Sequence, residues 1–104
     1  MTAHVLVLAR PDPENADIAK RYAEGVQPLL AAAGIAPTLR GPVAEALAQT
    51  GAGTDAGAEP PATAMMLDFP DDGAARAFFA QPAYQALIPL RDAGFLRMDI
   101  YLVG

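Results

Sequence analysis

The amino-acid sequence predicts an α+β domain of the ferredoxin-like type, with its elements in the order β-α-β-β-α-β. Right-handed crossovers then give a four-stranded antiparallel sheet in strand order 4-1-3-2, with the helices on one face. Three observations carry this. The chain has 104 residues, enough for a single domain (1–104) with one core and too few for a second. Short apolar runs alternate with stretches of helical spacing, and Pro or Gly stands at most of the switches. The first and third short runs are apolar on both faces, which marks them as the central pair of strands.

The first run, Ala3 to Ala9, ends at Arg10-Pro11 and carries His4, Leu6 and Leu8 on one face and Ala3, Val5, Val7 and Ala9 on the other. Asp12-Pro13-Glu14 is a helix-start signal: an acidic cap, a preset φ and a carboxylate near the positive helix end. From about Ala16 to Ala33, Ile18, Tyr22, Val26, Leu29, Leu30 and Ala33 recur at helical spacing, opposite Lys20, Arg21, Glu24 and Gln27. Pro28 predicts a kink or a split near Val26, and Gly34 a stop. Ile35 to Arg40 reads as the second strand, bending at Gly41-Pro42 and continuing irregularly toward Ala48.

Residues 50–61 (TGAGTDAGAEPP) have no periodicity and predict a flexible loop. The loop is glycine-rich, but neither GxxxxGK[ST] nor GxGxxG occurs in it. Ala62 to Phe69 is the third strand, with Asp68 as its polar exception. Asp71-Asp72 start a helix that buries Ala74, Ala75, Phe78 and Phe79. Gln81-Pro82 interrupts it, and Ala83 to Asp92 forms a second helical piece with Tyr84, Leu87, Ile88 and Leu90 inward. Phe95 to Val103 closes the chain, with Leu96, Met98, Ile100 and Leu102 on one face and Phe95, Arg97, Asp99 and Tyr101 on the other.

Composition narrows the function classes. The net charge is −5 and the basic residues are scattered, so no basic footprint exists for nucleic acid. There is no cysteine, hence no disulfide, thiolate nucleophile or thiolate metal site. No run approaches the roughly 18 apolar residues of a membrane span, and no basic segment leads into an apolar signal core. The expectation is a cytoplasmic protein. Hydrophobic residues make up 53% of the chain, more than one small core uses. Two helices cover one side of a four-stranded sheet, yet strands one and three are apolar on both. The expected partner is therefore a second copy, paired through the open sheet face.

Several segments carry a family resemblance. Asp12-Pro13-Glu14, Tyr22, Pro28 and Gly34 fall in the first half, and Leu39-Arg40-Gly41 on strand two. Leu67-Asp68-Phe69-Pro70, Ala74-Ala75, Phe78-Phe79, Gln81-Pro82-Ala83-Tyr84-Gln85 and Leu90-Arg91 make the more specific second half. With these motifs the chain resembles the domain-of-unknown-function 1330 (DUF1330) family, part of the dimeric α/β-barrel superfamily. That superfamily also contains cofactor-independent monooxygenases and muconolactone isomerases. The resemblance implies a dimeric barrel and no particular reaction. The chain departs from the family at Ile35, at Gln49-Thr50 and at Ala83, where a glycine, a Glu-Gly pair and an acidic residue are usual. No carboxylate carries over at the last two places.

Candidate chemistry is sparse. His4 is the only histidine, so one chain assembles no histidine triad and no histidine-rich metal site, and no cofactor motif is present. Asp68, near the end of a buried strand, needs a partner, with an arginine or the following turn as the expected one. Tyr84 and Arg91 are seven residues apart, one face of an unbroken helix, although Pro89 lies between them. Arg40 stands where the second strand nears its bend. An arginine fork suits a carboxylate or a carbonyl oxygen. The expected ligand site is thus Arg40, Tyr84 and Arg91, with Asp68 or His4 at its edge, taking a small anionic or carbonyl-containing metabolite. Whether it catalyses a cofactor-independent reaction is left open by the residues. The alternative is a non-catalytic structural or regulatory dimer module. An acylphosphatase-like reading ranks last, because Arg10-Pro11-Asp12-Pro13 offers an anion two prolines without donors and a repelling carboxylate.

Overall fold

The computed structural model describes residues 2–45, 47–48 and 61–103. Four strands, β1 (Ala3–Pro11), β2 (Pro37–Pro42), β3 (Thr63–Phe69) and β4 (Phe95–Val103), form one antiparallel sheet. Their order is β2-β3-β1-β4, which is the predicted 4-1-3-2 read from the other edge. The helices are α1 (Ala16–Ala33), α2 (Asp72–Ala80), α3 (Pro82–Gln85) and α4 (Ile88–Gly94). The predicted loop at 50–61 lies outside the described residues, except Pro61.

Register decides which side chains share a face. Val5 stands between Leu67 and Leu102, and Val7 between Met65 and Ile100. This face lies under the helices. Ala3, Val5, Val7, Ala9, Leu67 and Phe69 are buried there against Ala19, Tyr22, Leu30, Ala75, Phe78 and Tyr84. The other face carries His4, Leu6 and Leu8 of β1, with Asp68, Met66 and Ala64 beside them on β3 and Val103, Tyr101 and Asp99 on β4. None of the described helices covers it.

The local signals act as predicted at several ends. The Asp12 carboxylate accepts from the Glu14 amide at 3.0 Å and caps the single 3-10 turn before α1. Gly34 stops α1 at φ 73°, where its amide bonds back to the Ala31 carbonyl. Asp71 caps α2 through the Ala74 amide at 2.7 Å. Gly94 lets α4 pack closely on α1: a Cβ there would sit 2.6 Å from the Ala19 amide nitrogen.

Four local readings are corrected. Helix α1 runs through Pro28 without splitting, since Pro28 is on the exposed side, where water can satisfy the carbonyl it leaves unpaired. Strand β2 ends at Pro42 instead of continuing toward Ala48; the half-buried Val43 still bonds its amide to the Ala62 carbonyl at 2.8 Å, but beyond it Ala44 and Glu45 are exposed and Leu47 is 90% exposed, so nothing packs on a longer edge strand. The helical piece after Gln81 is divided into α3 and α4. The Leu87 amide bonds the Tyr84 carbonyl, a tightened turn, and Pro89 starts the helix afresh. In β4 the alternation slips at a bulge: Arg10 faces Arg97 but Pro11 faces Phe95. Leu96 is the extra residue and stands 60% exposed, while Phe95 turns inward to meet Tyr22 with ring centroids 5.5 Å apart.

Candidate functional site

A cleft of about 340 Å³ opens between the sheet and the second helical region. Its floor is apolar, made by Val5 of β1 and Ile100 and Leu102 of β4. Ala75, Phe79 and Ile88 form apolar walls, and the polar lining comes from Arg76, Tyr84, Gln85 and Arg91. The cleft exists because short α2, α3 and α4 do not close over the end of β4, where Leu102 remains more than a third exposed at 37%.

Tyr84 anchors the polar side. Pro82 starts α3, and the short helix drives the Tyr84 ring into an aromatic cluster. It meets Phe79 edge-on at 5.0 Å and Tyr22 at 6.3 Å, and only 2% of the residue is exposed. Its hydroxyl lies 2.8 Å from that of Tyr22, which α1 brings in from the other side. Arg91 Nη1 donates to the Tyr84 hydroxyl at 3.2 Å, and its Nε donates to Asp92 Oδ1 at 3.3 Å. The seven-residue spacing thus brings Tyr84 and Arg91 together even though the helix between them is broken.

The electrostatics follow burial. Tyr22 has its pKa pushed far above the ordinary tyrosine value, first by desolvation and then by the hydrogen bond to Tyr84; the Arg91 charge opposes this. For Arg91, burial works against the charge, but its hydrogen bonds and attraction to Tyr84 and Asp92 prevail, and its pKa rises. Arg91 therefore stays a cation at the cleft wall, its side chain 26% exposed.

The other expected site residues lie elsewhere. Arg40 stands opposite Met65 on the edge strand β2, with β3 and β1 between it and β4, and does not line the cleft. His4 and Asp68 are cross-strand neighbours on the open face, with His4 Nδ1 2.6 Å from Asp68 Oδ1. The partner of Asp68 is therefore His4, not an arginine or the following turn. Asp71 is a helix cap, and Asp72 meets Arg76 at 4.0 Å along α2. Among the described residues, no group of three or more His, Asp or Glu side chains could hold a metal ion, and no helix is long and apolar enough to cross a membrane. Tyr22 is the residue that periodicity conceals. At a helical inward position a tyrosine counts as apolar, yet a buried phenol needs a hydrogen-bond partner, and that need points to a second polar group in the core.

Comparison with known proteins agrees with this architecture. The model of the family described as domain of unknown function DUF1330 matches residues 4–104. No curated protein matches the chain. A protein of unknown function from Rhodopseudomonas palustris superposes with a TM-score of 0.76 at 16% identity, over 98% of this chain and 80% of that one. A dimeric ferredoxin-like protein of unknown function from Jannaschia sp. CCS1 gives 0.71 at 17% identity, over 100% and 99%. A Dabb family protein with a ferredoxin-like fold from Mesorhizobium loti gives 0.66 at 11% identity, over 99% and 95%. At these identities the structures establish the fold, and the family model, spanning nearly the whole sequence, places the chain in the DUF1330 family.

Proposed function

We propose that the protein binds a small anionic or carbonyl-bearing metabolite in the cleft, with Arg91 and Tyr84 as its polar contacts. One observation carries this reading. The Arg91 guanidinium is held by Tyr84 and Asp92 through Nη1 and Nε, while its Nη2 makes no hydrogen bond among the described residues. An oriented cation with an unspent donor, beside an apolar floor, is the usual make-up of a small-ligand site. The volume, about 340 Å³, lies at the small end of the range for such sites. The chemistry available is polarisation of a ligand carbonyl or carboxylate by Arg91, with the Tyr84 hydroxyl as second donor. To test it, a panel of small carboxylates and ketones is titrated at millimolar concentration against methyl-labelled protein. The expected result is a saturable shift of the Ile88 and Ile100 methyl signals. No response from any member of the panel would contradict the proposal.

The working unit in this reading is a homodimer joined through the open sheet face. Leu6, Leu8, Met66 and Tyr101 share that face, and Val103 and Tyr101 are 45% and 49% exposed. Uncovered, such a surface would amount to several hundred Å², at the upper end for soluble monomers. The Jannaschia neighbour is itself described as dimeric. Sedimentation equilibrium at micromolar concentration should give twice the chain mass; a monomer mass would overturn the assembly.

A further inference from the structure

The open sheet face carries its charges at two ends. At one, His4 Nδ1 of β1 lies 2.6 Å from Asp68 Oδ1 of β3. At the other, Arg10 of β1 stands opposite Arg97 of β4, which is paired with Asp99. Six residues of strand put these ends roughly 20 Å apart, well beyond the Debye length of about 8 Å at physiological salt. Around His4 the neighbours are Asp68 on β3 and, on β4, Val103 directly across with Tyr101 diagonal to it; none of the described helices packs on it. Among the described residues, Asp68 is thus the charged group that meets the ring. His4 is the only histidine of the chain, and imidazole is the side chain that ordinarily changes charge between about pH 5 and 8. Arginine, tyrosine and carboxylate groups ordinarily titrate outside that window.

An ionised carboxylate only accepts, so Nδ1 is the donor in both states of the ring, and the proton that comes and goes is the one on Nε2. With that proton the pair is neutral overall; without it the pair carries one negative charge. In a single chain the difference is small, because His4 and Asp68 keep 47% and 33% of their side chains in water. A second copy laid on the face removes that water. A neutral ion pair then costs far less to bury than a carboxylate whose partner is an uncharged ring.

We infer that the His4–Asp68 pair makes the assembly of two copies proton-linked: the dimer forms with His4 charged and loosens as His4 loses its proton. The inference rests on the homodimer proposed above and adds the condition under which it holds. An identical face suits this chemistry, because its acidic groups are already paired within it, Asp68 with His4 and Asp99 with Arg97. No uncompensated carboxylate of one copy then meets one of the other. The sign follows from linkage. Assembly takes up protons, so it is favoured where imidazole is charged and weakened as pH rises through its titration.

Sedimentation equilibrium of the full chain between about pH 6 and pH 8 tests this. The wild-type dissociation constant should rise at least about tenfold across that range, with a ceiling of about two decades per pH unit set by two protons. His4→Gln leaves every other titration of the chain in place and should flatten the curve. Asp68→Asn should invert it, since a lone imidazolium is then the charge to be buried. A wild-type dimer with the same pH dependence as His4→Gln overturns the proton linkage and leaves the homodimer standing. An Asp68→Asn curve that keeps the wild-type direction does the same. A monomer at every pH overturns both readings. A second measurement needs no variant: the heat of diluting the wild-type dimer at about pH 7 is compared in phosphate and in Tris. Dissociation should release protons, up to about two per dimer, so the two heats should differ. Equal heats overturn the inference.

Discussion

The two faces of the sheet solve the same problem in different ways. Each carries a polar cluster on apolar ground. Under the helices, three separate segments converge on one cluster: α1 brings Tyr22, α3 brings Tyr84 and α4 brings Arg91. On the open face, His4 and Asp68 meet across adjacent strands and remain 47% and 33% exposed in their side chains. The first cluster is largely enclosed, so its geometry is dictated by packing from several sides, and its two buried hydroxyls bond each other while Arg91 stands at the cleft. The second is local and solvated. One face is covered by the helices of its own chain, whereas none of the described helices covers the other.

That contrast can be broken by substitution. The largest effect belongs under the helices. Phe78 is 5% exposed and packs on Phe69, Phe79 and Tyr84. Phe78→Ala should cost about 3–5 kcal/mol of unfolding free energy in urea titration. Leu6→Glu, at the centre of the open face, should instead leave secondary structure intact while weakening self-association by at least about a hundredfold, roughly 2.7 kcal/mol. If Leu6→Glu unfolds the chain as Phe78→Ala does, the two faces are not distinct in the way argued here.

A smaller effect appears at high pH. Tyr22 has a raised pKa in the folded state, so the native protein holds its proton where the unfolded chain releases it. The contribution is fully present below about pH 10, the unfolded value, and is lost as pH rises above it, at up to about 1.4 kcal/mol per pH unit. Tyr22→Phe should therefore show a shallower fall of stability above about pH 10 than the wild type. Equal slopes would mean that Tyr22 ionises freely in the folded protein. The smallest change is expected from Asp68→Ala measured on the dissociated chain, about 0.2–1 kcal/mol, the value of an exposed pair. A much larger loss there would mean that the His4–Asp68 pair holds the fold itself.

The fold was legible in the sequence because its signals are local. Capping at Asp12 and Asp71, the stop at Gly34 and the two-sided apolar runs on β1 and β3 fix the element order, and handedness supplies the sheet. What escaped depends on neighbours. The bulge opposite Arg10 reverses Phe95 and Leu96, and nothing in β4 alone announces it. Pro28 reads as a break because sequence does not reveal that its turn faces water. At the site, the Tyr84–Arg91 spacing was readable. That His4 and Asp68 lie on the opposite face from Arg91 was not, since with both faces apolar the pattern does not say which one the helices cover. Tyr22 was hidden for a related reason: periodicity registers its ring and ignores its hydroxyl.

The central claim is that Arg91 is held in place for a ligand, not for the fold, and Arg91→Leu tests it most directly when stability and binding of the panel compound that the wild type binds best are measured on the same sample. Tyr84 keeps Tyr22 as a partner when Arg91 is gone, so the account predicts unfolding free energy within about 0.5 kcal/mol of wild type and no detectable binding of that compound. A loss of about 1–3 kcal/mol, or binding that survives the substitution, would contradict it.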